Sequence, residues 1–178
     1  MRNIIVLTPL VISALLMASC GGETAAVKPP ASTVSADLMR NSVKVGTATL
    51  TQAGANSAMS LKVEGLATGT YGMHIHETGK CDAPDYKSAG GHWNPGAKQH
   101  GLQNPDGTHG GDLENLVATN GQATRLERSL AGLKLTGEGG LMDTDGAAFI
   151  IHAKPDDNKT DPSGNSGDRI ICGVFGAG

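Results

Sequence analysis

The residues best equipped for chemistry in this chain are its six histidines. Two of them, His74 and His76, stand one residue apart in the stretch YGMHIHETGKC, residues 71–81. In an extended strand alternate side chains share a face, so these two imidazoles lie side by side. Imidazole is the commonest transition-metal ligand, yet a pair at this spacing also arises with one ring in a core and the other solvated. The other four histidines decide. His92 follows in SAGGHWNP, His100 in KQHG and His109 in THGGDLEN, with Asp112 shortly after it; His152 ends AAFIIHA. None is left over for a surface loop, and that points to metal.

The donors divide into two kinds. His92, His100, His109 and Asp112 fall in one glycine-rich loop. Three imidazoles and a carboxylate make a closed tetrahedral set, which suits structural zinc. His74, His76 and His152 fall on strand-like runs. Copper(II) prefers tetragonal nitrogen coordination and asks for a fourth imidazole. No spare exists, so one histidine must serve both ions. An imidazolate has two nitrogens with which to do it.

Short elements must position these donors. The runs VSADLMR, KVGTATLTQ, AMSLKVEG, YGMHIHE, ENLVATN, ATRLERS, AAFIIHA and RIICGVFG are β-branched or alternating, and Gly, Asn, Asp and Pro punctuate them. Several short strands with no helical period argue for an all-β sandwich or barrel. Glycine takes 26 of 178 positions, about twice the usual ~7% and suited to many tight turns. Aromatics are only 3% of the chain, so the core must be aliphatic. Something other than aromatic packing must stiffen the long loop from Thr78 to Gly111.

The first nineteen residues read differently. Arg2 is their only charge; an apolar run from Ile4 to Met17 follows, then Ala18, Ser19 and Cys20. This is the layout of a signal peptide over 1–19, too short for the ~20 apolar residues of a spanning helix. A cysteine directly after small residues resembles the lipobox of bacterial lipoproteins, in which that cysteine carries lipid. Residues 21–33 are small, polar and Pro-containing, so 20–33 reads as a tether and 34–178 as the folded domain. Three cysteines in an exported chain need an explanation. If Cys20 is acylated, Cys81 and Cys172 remain, either as a disulfide or as two separate thiols. The net charge is −3 and becomes one unit more negative if Arg2 leaves with the leader. No basic stripe or aromatic platform points to nucleic acid.

From Val34 to Val174 the motifs GMHIHE, SAGGHWNP, KQHG, HGGDL and HAKPDDNKTDPSGNSGDRIICGV resemble, in order and spacing, those of the copper–zinc superoxide dismutases. The DDNKTDPSGNSGDR loop and the leader resemble the bacterial branch. The resemblance implies an all-β fold, an eight-stranded Greek-key β-barrel related to the immunoglobulin-like sandwiches, with long metal-binding and electrostatic loops. It implies copper on His74, His76, His92 and His152, and zinc on His92, His100, His109 and Asp112, with His92 shared. It implies a disulfide between Cys81 and Cys172, and an anion-binding Arg169. Asp156 would link His74 to His100.

The implied reaction is dismutation of superoxide to oxygen and hydrogen peroxide, with copper redox-active, zinc inert and His92 exchanging a proton. Lys154 and Lys159 would help Arg169 focus a positive field, and Asp168 would oppose it. Met73 stands where the family usually has an aromatic, and Ile171 where it has a small residue. The leader implies the bacterial periplasm and a membrane anchor through Cys20. Bacterial members differ in how subunits pair, so a homodimer is one arrangement the resemblance allows.

Overall fold

A computed structural model describes residues 31–119 and 122–177. The signal segment, Cys20 and the tether up to residue 30 lie outside the described residues. Among the described residues are ten strands: β1 (Ala31–Arg40), β2 (Val43–Ala53), β3 (Asn56–Val63), β4 (Gly69–Tyr71), β5 (Met73–His76), β6 (Leu116–Ala118), β7 (Thr124–Leu130), β8 (Ala148–His152), β9 (Arg169–Val174) and β10 (Gly176–Ala177). All eight runs expected from the sequence form strands, and the short β4 and β10 are additions. Strand β1 begins at Ala31, so residues 31–33, expected in the tether, pair instead with Thr51–Ala53 of β2.

The main sheet runs β5-β8-β9-β1-β2-β3-β7, with β10 beside the start of β1, and β4 pairs with β6. Every pairing is antiparallel. Strands distant in sequence lie side by side, β3 with β7, β5 with β8 and β9 with β1, as the long connections of a Greek key require. Alternation sends one face inward. In β3, Ser57, Met59, Leu61 and Val63 are buried while Asn56, Ala58 and Ser60 are exposed. The curled sheet and the β4–β6 pair enclose one aliphatic core, which includes Leu38, Leu50, Met59, Ile75, Phe149 and Leu116. Met73 is fully buried in that core, so thioether packing fills the place of the aromatic.

Strand β5 is buried on both faces. Met73 and Ile75 point into the barrel core. His74 lies opposite Ile150, and His76 opposite Ala148. Ile150 and Ala148 belong to a second apolar cluster with Tyr86, Ala89 and Cys172. Directly opposite residues share a face, so His74 and His76 lie outside the barrel wall, under the loops.

Cys81 and Cys172 are bonded, with Cα atoms 5.7 Å apart and a separation of 91 in sequence. The bond ties the loop after β5 to β9. Closing a loop of this size contributes about 3–5 kcal/mol. At ~2–4 °C per kcal/mol for a domain of this size, Cys81→Ser should lower the melting temperature by about 10 °C. Calorimetry with matched metal content measures it; a shift under about 2 °C would mean that the bond adds little to the fold.

Candidate metal centre

Strand β5 builds the centre from both of its edges. One edge pairs with β8, which carries His152. On the other, Ile75 N–H donates to Gly111 O (2.9 Å), Trp93 N–H donates to Ile75 O (2.9 Å) and Glu77 N–H donates to Gly91 O (3.0 Å). Two loop pieces thus join β5 as if they were strands. They set His92 opposite His76, and Asp112 opposite His74. A Cβ on Gly111 would run into Ile75 O, so only glycine lets that piece approach. All six histidines, Asp112 and Asp156 are buried.

The first cluster holds His74, His76, His92 and His152, whose donor atoms lie within 4.8 Å of one another. Each ring has one nitrogen engaged. His74 Nε2–H donates to Asp156 Oδ2 (2.6 Å), His76 Nδ1–H to Gly90 O (3.1 Å) and His152 Nδ1–H to Gly167 O (3.1 Å). His92 Nδ1 lies 2.9 Å from Asp112 Oδ1. The opposite nitrogens, His74 Nδ1, His76 Nε2, His92 Nε2 and His152 Nε2, are buried with no hydrogen-bond partner. Ser166 Oγ is the other such atom among the described residues. Buried nitrogens left unpaired are costly, and four of them in one place fit a cation that prefers nitrogen.

The second cluster centres on Asp112. Its Oδ1 lies 2.9 Å from His92 Nδ1, 3.0 Å from His100 Nδ1 and 3.2 Å from His109 Nδ1. Its Oδ2 is held by Gly101 N–H (2.9 Å), Thr108 Oγ1–H (2.8 Å) and His109 N–H (3.0 Å). Three ring nitrogens around one carboxylate oxygen fit a tetrahedral dication. A grouping of His74, His92, His100 and Asp112 also falls within 4.8 Å. His109 is the better fourth donor, because His74 Nε2 is taken by Asp156 and His74 Nδ1 belongs to the first cluster. The ring of His92 lies 3.9–6.4 Å, centroid to centroid, from those of all five other histidines. It has one nitrogen in each cluster.

Residues 44–175 match the sequence profile of the copper/zinc superoxide dismutases. The chain belongs to that family. It is 42% identical over 134 residues to superoxide dismutase [Cu-Zn] 1 of Aquifex aeolicus, covering 74% of this chain and 79% of that one. It is 40% identical over 158 residues to the superoxide dismutase [Cu-Zn] of Deinococcus radiodurans, covering 82% and 85%. The crystal structure of a SOD-like protein from Bacillus subtilis superposes with a TM-score of 0.74 at 36% identity, covering 79% of this chain and 96% of that one.

Within this family member, Asp156 joins the clusters: its carboxylate also lies 3.1 Å from His100 Nε2. Asn115 holds it in place. The Asn115 amide donates to Asp156 O and accepts from Asp156 N–H, both at 2.8 Å. Arg169 is half-buried, lies opposite His152 across β8–β9, and donates to Tyr86 O (2.8 Å) and Gly90 O (2.7 Å). Asp168 is exposed and makes no ion pair with Arg169 among the described residues. Lys154 and Lys159 are exposed on the loop between β8 and β9.

Sequence reasoning did not find Tyr86, Gly90, Thr108, Asn115 or Gly167. Gly90 and Gly167 act through backbone carbonyls, which leave no mark on residue type. An Asn directly before a strand gave no signal either.

Without metal, burial keeps the first cluster neutral. It lowers His92 to about 4 and His152 to about 3, and holds His76 well below its ordinary value. His100 goes the other way. Burial opposes its charge, but hydrogen bonds to Asp112 and Asp156 raise it to about 9. Burial would likewise raise Asp112, yet His100, His92 and the Gly101 amide hold it far below the carboxylate range. The pH dependence of the metal-free protein follows. As pH falls from about 6.5 toward 4, the unfolded chain binds protons that His92 and His152 refuse, and stability drops. As pH rises from about 6.5 through 9, the stability contributed by protonated His100 is lost. Melting of metal-free protein should therefore be highest near pH 6–7 and fall on both sides. A melting temperature that keeps rising from pH 7 to 9 would contradict the charged state of His100.

Proposed function

We propose that this chain is a superoxide dismutase, converting two superoxide ions and two protons into oxygen and hydrogen peroxide. The observation that carries it is the set of four converging, partnerless nitrogens beside Arg169. His74, His76, His92 and His152 would hold copper; His92, His100, His109 and Asp112 would hold zinc, with His92 common to both. Bound copper would supply the one-electron redox couple that no side chain here provides, with zinc as a redox-inert charge.

The chain supplies the rest. Gly90 O and Gly167 O fix the tautomers of His76 and His152, so each presents a lone pair to the cluster. Asp156 does the same for His74 and reaches His100, so the two sites share one carboxylate. His92 Nε2 has no partner in the protein and can hold a proton at the place where peroxide needs one. Arg169 uses two N–H groups on carbonyls, so its remaining donors can receive the anion. Its charge reaches His76 and His152, adding to the lowering of both. The acid whose charge reaches Arg169 is Asp85, not Asp168.

The test is superoxide decay after pulse radiolysis, with metal content measured for each protein. Arg169→Ile should slow the loaded protein about tenfold, and Arg169→Glu further, both retaining metal. Added salt should slow wild type and spare the Ile variant, as screening shortens to ~8 Å near 0.15 M. In the same series His92→Ala should change the occupancy of both metals. Protein that binds both metals yet leaves superoxide decay unaltered would be a metal-binding relative without the activity.

We also propose that the mature chain starts at Cys20 and sits in the bacterial periplasm on a lipid anchor. Supporting this, the Cys81–Cys172 bond leaves Cys20 as the odd cysteine. Cys20→Ser should move the protein from the membrane to the soluble fraction with activity intact. Retention on membranes after a carbonate wash would rule out the anchor.

A further inference from the structure

Arg169 owes its position to a residue with an unusual backbone. The two carbonyls it binds, Tyr86 O and Gly90 O, flank the short turn Lys87–Ala89. Tyr86 and Gly90 both have positive φ, 52° and 73°, and Tyr86 lies in the left-handed helical region. For glycine that is ordinary; for a bulky aromatic it is an outlier, so something must hold it there. The side chain of Tyr86 does. Its ring is 2% exposed and packs with Ala89, Ala148, Ile150 and Cys172. Its hydroxyl accepts from Asn41 N–H (2.7 Å) and donates, at 3.4 Å, to Met39 O. Met39 pairs with Cys172 across β1–β9, and β9 begins at Arg169. Tyr86 thus fastens the loop to the same pair of strands that carries the arginine. Gly90 O also accepts from His76 Nδ1–H, so the turn orders a cluster histidine and the guanidinium together.

We infer that Tyr86 is a positioning residue for Arg169, its buried hydroxyl and ring setting the direction of the carbonyl that orients the guanidinium toward an incoming anion. The inference rests on the reading of Arg169 as the superoxide-binding cation. The hydrogen bonds of Tyr86 go to Asn41, Met39, Arg169 and its own loop, so it would act through the arginine and its turn.

Tyr86→Phe keeps the ring in its cluster and removes only the hydroxyl. A double-mutant cycle with Arg169→Ile separates positioning from general destabilisation. Loss of the hydroxyl with its two hydrogen bonds should slow superoxide decay about threefold in the wild-type background and leave the Arg169→Ile background unchanged. An equal loss in both backgrounds, or none in either, would overturn the inference. A second arm needs no activity. In metal-free protein, solvent exchange of the Arg169 guanidinium N–H groups, followed by NMR, should quicken at least about threefold in Tyr86→Phe. Unaltered exchange would also overturn it. If wild type shows no dismutation at all, this second arm still reads the positioning, so failure of the two readings can be told apart.

Discussion

Everything in this molecule is arranged around six buried imidazoles, four of which each have a nitrogen with nothing to bond. An unsatisfied buried polar atom costs about 1–3 kcal/mol, comparable with a large part of a domain's net stability. A chain tolerates four of them together only if something else completes the site. Metal does so, and because it binds the folded state and not the unfolded one, its binding free energy adds to stability. In the metal-free fold each of these rings is held by its other nitrogen. Asp156, Gly90, Gly167 and Asp112 each engage one. These contacts fix ring orientation before any ion arrives, so the site is built in advance.

Two kinds of scaffold meet at β5. His74, His76 and His152 stand on paired strands of the barrel, where the ladder fixes direction within a small tolerance. His92, His100 and His109 come from a long loop that would be loose by itself. It gains strand-like order where residues 91–93 and 111 hydrogen-bond to the free edge of β5. The same pairing covers an edge that would otherwise be open to other chains. The loop between β8 and β9 closes over the far side. Gln103 N–H donates to Asn158 O (2.9 Å) and His100 N–H to Asp161 (2.7 Å). Asp156, at the root of that loop, couples the loop donors to the strand donors.

Much of this was legible in the sequence because it is written in residue types. The runs at 34–40 and 44–52 alternate, 147–153 is a short, mostly apolar run whose strand β8 is buried throughout, and the histidines have no other use. Strand β1 starts three residues before the folded domain expected from the sequence, because Ala31, Ser32 and Thr33 are exposed and carry no strong apolar signal; their pairing with β2 makes them strand. Asp168 is a misleading neighbour of another sort. Adjacent residues in an extended segment point to opposite faces, so sequence proximity to Arg169 gave no electrostatic proximity. Asp85, distant in sequence, is the acid whose charge is felt. Tyr86 was invisible for the same reason: its partners Asn41 and Arg169 are 45 and 83 positions away.

The chain is acidic overall and yet suited to drawing in an anion, and the two facts are compatible once distance is considered. Charges separated by more than ~8 Å are largely screened at physiological ionic strength, so net charge says little about the field at a mouth a few ångströms wide. Inside the centre two buried carboxylates, Asp112 and Asp156, are each surrounded by donors and project little charge outward. With both sites filled, two divalent ions outweigh those carboxylates and one shared imidazolate, leaving a positive remainder. Arg169 adds to it from the rim, where it is half-buried and therefore less screened than a surface lysine. On the proposed reading, the attraction would be generated by the same atoms that do the chemistry. The acidic surface can vary freely so long as no carboxylate comes within contact of that arginine.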